Sequence, residues 1–98
     1  MLKKNYSKTG RVCRVTFRLP VEVDAKEVSL CGEFNGWDPE ADRMRQRRDG
    51  SFSKTVSLEP GRSYRFRYLL DGERWENDWE ADLYVPNSFG TEDSVVAV

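Results

Sequence analysis

Alternation of apolar and polar side chains, broken at short intervals by Asp-Gly and Pro-Gly pairs, constrains this chain more than any other feature. Cys13, Val15, Phe17 and Leu19 alternate with Arg14, Thr16 and Arg18 until Pro20 stops the run. Val28, Leu30 and Gly32 alternate with Ser29, Cys31 and Glu33, and Tyr64, Phe66, Tyr68 and Leu70 alternate with Arg65, Arg67 and Leu69. Successive side chains of a strand point to opposite faces, so each run has a core face and an outer face. On this reading Cys13 is a core residue, Cys31 points away from the face of Val28 and Leu30, and Arg67 stands on an outer face. Asp49-Gly50 separates residues 44–48 from 52–58, and Asp71-Gly72 separates 64–70 from Trp75. Such pairs predict hairpins, because both central positions of a type I′ turn need positive φ.

Less regular stretches fill the remainder. Lys54 interrupts the shared parity of Phe52, Val56 and Leu58, which predicts a bulge or an edge strand. Residues 76–93 read as a long loop with Pro86, Asn87 and Gly90 as breakers, and Val95-Val96-Ala97-Val98 as a closing strand. Only residues 22–26 and 39–42 have the makings of short helical turns. The expected fold is an all-β, immunoglobulin-like (early-set) sandwich of about seven short antiparallel strands. Residues 1–10 read as an N-terminal extension and 11–98 as the single domain. With 98 residues, the chain has no room for a second domain and little for a deep catalytic cleft.

Composition narrows the function. Charged residues make up 34% of the chain yet sum to a net charge of −1, which gives no general attraction to nucleic acid or an anionic membrane. No run reaches membrane-spanning length. Arg43, Arg45, Arg47 and Arg48 form a basic stretch, read as a solvated hairpin face. With no histidine, the commonest general base and metal ligand is missing. No phosphate loop, nucleophile elbow or Cys-x-x-Cys pair is present. Glu76, Asp78, Glu80 and Asp82 lack the spacing of a calcium loop and read as a solvated acidic loop. No catalytic residue, cofactor or metal is therefore expected. Two cysteines and no apolar leader after Lys3-Lys4 point to free thiols and a cytoplasmic setting. A monomer is expected, and Met1 and the end at Val98 read as a whole sequence.

Three tryptophans are notable for their contexts. Trp37 sits in the turn-forming run Phe34-Asn35-Gly36-Trp37-Asp38-Pro39, and Trp75 and Trp79 follow the Asp71-Gly72 turn. An indole in a loop suits the apolar face of a glucose ring, with Arg67 and Asn77 placed to hold hydroxyls. It serves equally well as a core plug, and composition leaves both readings open.

Four blocks together resemble a known family: Val28 through Trp37 with its Phe-Asn-Gly-Trp ending, Tyr64 through Gly72, Trp75-Glu76-Asn77-Asp78, and Pro86-Asn87-Ser88-Phe89-Gly90-Thr91. The chain from about Arg11 onward resembles the family 48 carbohydrate-binding module, also called the isoamylase N-terminal or early-set domain. That module precedes the catalytic barrel of glycoside hydrolase family 13 branching and debranching enzymes. It also forms the glycogen-binding domain of the AMP-activated protein kinase β subunit. The resemblance implies non-catalytic binding of an α-1,4-glucan such as glycogen or starch. Trp37 and Trp75 match the stacking tryptophans, the latter with one extra residue after the turn. Arg67 matches the basic hydroxyl-binding position, with arginine for lysine. Phe89, Thr91 and Asp93 fall on the family's leucine, threonine and asparagine, so Asp93 loses an amide donor. The competing reading is a module that docks on a glycogen- or starch-metabolising enzyme without binding sugar.

Overall fold

The computed structural model describes residues 2–98. These residues form nine strands: β1 (Leu2–Tyr6), β2 (Cys13–Leu19), β3 (Val28–Gly32), β4 (Arg45–Gln46), β5 (Phe52–Leu58), β6 (Ser63–Leu70), β7 (Arg74–Glu76), β8 (Leu83–Pro86) and β9 (Glu92–Ala97). Short 3-10 turns at Val21–Val23 and Glu33–Asn35 are the helical elements among the described residues. One sheet has the order β1-β2-β5-β4; the other runs β3-β6-β9-β8 with β7 added on β6. All pairings are antiparallel, so the fold is the expected all-β sandwich. β6 is the spine of the second sheet. β3 takes one flank, while β7 (against Tyr68–Leu70) and β9 (against residues 63–66) share the other.

The core follows the alternation. Cys13, Val15, Phe17 and Leu19 from β2 face Leu30, Phe66, Tyr68 and Leu70 from the second sheet, all nearly inaccessible to water. Phe17 and Phe66 meet edge-to-face at 5.0 Å and 72°, and Phe66 meets Tyr68 at 5.7 Å and 78°. Each such ring contributes about 1.5–3 kcal/mol through burial, with edge-to-face geometry adding a little more.

Several expectations change. The strand expected at Trp75 is β7, whereas β1 and β8 are strands beyond those expected, and β9 begins at Glu92. The 76–93 stretch is therefore a loop interrupted by β8 and bounded by the ends of β7 and β9; strands as short as β7 and β8 show no alternation. Residues 2–6, read as an extension, pair with Cys13–Phe17 of β2, and Lys4 reaches Asp82, just before β8, at 2.7 Å. Lys54 needs no bulge, because the β2–β5 register is unbroken from Cys13↔Leu58 to Leu19↔Phe52. β4 covers β5 only at Phe52 and Ser53, so Lys54 lies on an open edge, its ammonium 3.8 Å from Asp42.

The two Asp-Gly turns differ. At Asp71-Gly72 both residues have positive φ (52° and 73°), and the Glu73 N–H donates to the Leu70 carbonyl, as a type I′ turn requires. At Asp49-Gly50 only Gly50 is left-handed. There the Arg47 N–H donates to Ser51 and the Gly50 N–H to Arg47, closing a three-residue loop with its glycine at the bulge.

Asp78 is the largest departure from the acidic-loop reading. It is 0% exposed. Its Oδ2 accepts from the Tyr68 hydroxyl at 2.7 Å, its Oδ1 from the Glu80 N–H at 2.8 Å, and its own N–H donates to Ser94 Oγ. Burial and the facing carboxylate push the Tyr68 phenol well above its ordinary range. A buried carboxylate with this many partners organises the chain around it.

Candidate functional site

The outer face of the second sheet carries a cavity of about 1110 Å³, lined by Trp37, Arg67, Trp75, Phe89, Thr91 and Asp93 together with Glu33, Arg65 and Asn87. The six residues that the resemblance assigned to the site thus line one space, though four separate segments supply them.

The floor comes from strand parity. Tyr64, Phe66 and Tyr68 point inward, so Arg65 and Arg67 point out. Cys31 lies opposite Arg67 in the register, and Trp75 lies opposite Leu69. Trp75 therefore stands on the same face as Arg67, whose guanidinium lies 5.5 Å from the centre of the indole. Trp75 remains 45% exposed, and the Arg67 Nε is buried without a hydrogen-bond partner. This cation–π contact holds the guanidinium over the indole, beside the cavity that both residues line. Cys31 faces outward as its parity requires, yet it is fully buried under the following turn. Burial foremost, then the carboxylates of Asp38 and Asp42, push its thiol up to about 11. Both cysteines are free and buried.

One wall is the turn after β3, and its Phe-Asn-Gly-Trp run has a job for each residue. Phe34 turns inward, 5.6 Å from Phe17 and 6.1 Å from Tyr64 between ring centres. Asn35 closes the turn: its Oδ1 accepts from the Gly32 N–H at 3.0 Å, and its Nδ2 donates to the Leu30 carbonyl and to Asp42 Oδ2, each at 2.8 Å. Gly36 and Trp37 both adopt left-handed φ (67° and 61°), and the Trp37 N–H donates back to Gly32 at 2.9 Å. A tryptophan in this region stores about 1–3 kcal/mol of strain, held by the surrounding bonds. Gly32 is demanded by space, since a Cβ there would lie 2.7 Å from the Arg65 carbonyl and 2.8 Å from the Phe34 ring.

The opposite wall is the β8–β9 loop, built on Asn87. Its Oδ1 accepts from the Phe89 N–H, the Thr91 N–H and the Thr91 hydroxyl. Its Nδ2 donates to Thr91 Oγ1 at 2.8 Å and to Asp93 Oδ1 at 3.0 Å. Phe89 rides at the tip, 86% exposed. Asp93 is buried and occupied by Asn87, with Arg65 3.7 Å away, so it braces the loop from within. The Thr91 hydroxyl is likewise engaged by Asn87.

Sequence reasoning did not single out Glu33, Arg65 and Asn87. Arg65 shares the parity of Arg67, so the signal for it was present. Its Nη1 donates to the Pro86 carbonyl at 3.3 Å, and its backbone N–H donates to Glu33 Oε1 at 2.7 Å, tying both walls to the floor. Asn77, expected beside the cavity, instead donates to the Glu92 carbonyl and accepts from Ser94. Trp79 lies outside the cavity, in a separate groove.

A small sandwich carrying an open, aromatic-walled cavity on one sheet face has the build of a carbohydrate-recognition module. Over residues 15–98 the chain matches the family described as the glycogen recognition site of AMP-activated protein kinase, and it belongs to that family. It is similar to Protein FLOURY ENDOSPERM 6, chloroplastic, of Oryza sativa subsp. japonica, being 43% identical over 54 residues, which are 55% of this chain and 10% of that protein. It is also similar to Protein PTST homolog 2, chloroplastic, of Arabidopsis thaliana, at 32% identity over 76 residues, 76% of this chain and 13% of that protein. The chain thus spans about a tenth of the length of these curated relatives. The cytoplasmic expectation is overturned, since both relatives are chloroplastic. It rested on thiol usage and an absent leader, neither of which reports the compartment of a domain of this kind.

Proposed function

We propose that the cavity binds an α-1,4-linked glucan of the starch or glycogen type, without catalysis, in a plastid. The observation that carries this reading is the pairing of two part-exposed indoles with a guanidinium over one of them, across a single open cavity in a member of a glycogen-recognition family. Trp37 and Trp75 stack on sugar rings, Arg67 donates to ring hydroxyls, and Phe89 presses on the chain from the loop. Thr91 and Asp93 act mainly by holding that loop, and Arg65 joins Arg67 as a donor. The kinship with modules that precede family 13 glycoside hydrolase barrels belongs to this same reading, as does a monomeric state. A shallow site with few contacts predicts affinity in the roughly micromolar to millimolar range.

Titration with maltoheptaose or β-cyclodextrin, followed by tryptophan fluorescence, tests it. A saturable change is expected, lost in Trp37→Ala; no response in the unmodified chain overturns the reading. Docking on a glycogen- or starch-metabolising enzyme is the second reading, favoured by the open edge of β5 beyond Ser53. Capture of such an enzyme that persists in excess maltodextrin would support it.

A further inference from the structure

We propose that the groove around Trp79 is a second glucan-binding surface, separate from the cavity above. It has a volume of about 540 Å³ and an apolar lining of Leu19, Pro20, Val21 and Trp79. Ser51 and the charged Arg18, Glu22, Asp49 and Glu80 line the rest. It shares no lining residue with the first cavity. Trp79 is 52% exposed and Val21 54% exposed, so an indole and an isopropyl group face water side by side.

The indole is held in place. Its neighbour Asp78 is fully buried, bonded to Tyr68, Ser94 and the Glu80 N–H, and the Asp78 carbonyl accepts from the Tyr84 hydroxyl. The buried core thus fixes the backbone on both sides of Trp79 and presents its ring outward. Across the groove, Arg18 Nη2 donates to Asp49 Oδ2 at 3.0 Å. Asp49 Oδ1 accepts from the Ser51 N–H at 2.9 Å and from its hydroxyl at 2.6 Å. An aromatic platform beside a planar donor and a planar acceptor suits the C–H face and vicinal hydroxyls of a pyranose. Arg18 is matched by Asp49, while the exposed Glu22 and Glu80 add carboxylate acceptors to the lining. An apolar ring face bordered by acceptors for hydroxyls suits a polyhydroxyl ligand. The ligand class rests on the glucan reading of the first cavity.

The two readings are separable by nitrogen-15 NMR of the whole chain titrated with maltoheptaose, with indole signals assigned by Trp37→Phe, Trp75→Phe and Trp79→Phe. The Trp79 indole and Ser51 amide are expected to shift with their own saturation curve, and to do so still in Trp37→Ala. In Trp79→Ala the Ser51 shift is expected to vanish while the Trp37 response remains. If Trp79 moves while Trp37 and Trp75 do not, the second surface stands and the first cavity's reading falls. If Trp37 and Trp75 shift while Trp79 and Ser51 stay still, or if Trp79 responds to a basic peptide and not to maltoheptaose, the proposal is overturned.

Discussion

The two walls of the cavity are each built on one asparagine, but they are anchored differently. Asn35 ties its turn to β3 backbone while the adjacent Phe34 is packed against Phe17 and Tyr64, so Trp37 is fixed by the core. Asn87 gathers Phe89, Thr91 and Asp93, and the resulting loop reaches the rest of the molecule through Asp93 and the Arg65 contact with Pro86. The first wall is part of the fold, and the second is a loop fastened onto it. Loops of this second kind open at lower free energy than the elements they join.

Substitutions test how sharp that difference is. Gly32→Ala has the largest expected effect, because its Cβ would press on the Arg65 carbonyl and the Phe34 ring. It should cost about 1–3 kcal/mol and lower Tm by roughly 10 °C in calorimetry. Asn35→Ala comes next, at about 2 kcal/mol from groups left unpaired, and maltoheptaose affinity should fall with stability. Asn87→Ala should change stability by under about 1 kcal/mol while weakening glucan binding roughly tenfold, since the loop must then be ordered on binding. Equal loss of Tm in the two asparagine variants would erase the distinction between the walls.

Two pH experiments give the smallest effects. The Cys31 thiol is raised to about 11, so the stability it contributes is whole below the ordinary thiol value of about 8.5 and is lost as pH rises toward 11. A thiol reagent at mildly alkaline pH should leave the folded chain unlabelled. Asp71 lies on the opposite side: backbone N–H bonds from Glu27 and Lys26 lower its pKa. Its contribution is present above the ordinary carboxylate range and fades as pH falls through its lowered value. Asp71→Asn should therefore flatten the acid limb of a stability curve.

Alternation made most of this legible. It placed the core faces of β2, β3 and β6, the outward direction of Arg67 and Cys31, and the left-handed pair at Asp71-Gly72. The resemblance brought Trp37, Trp75 and the 89–93 loop to one place. Alternation failed where pairing is short: β7 and β8 have three and four residues, too few to show a period. Asp78 was illegible because a carboxylate's burial depends on Tyr68 and Ser94, distant in sequence, arriving at the same point. Asn87 was passed over as a turn former, since nothing local reveals how many groups one amide will serve.

The inward turn of Phe34 has a consequence for how such a module can diversify. Trp37 sits three residues along a braced turn from a ring that touches both sheets, so repacking the interior is also a change of binding surface. Variation that alters ligand preference without risking collapse is therefore channelled to the Phe89 side, where a residue at the tip can be exchanged and the hydrophobic interior never registers it.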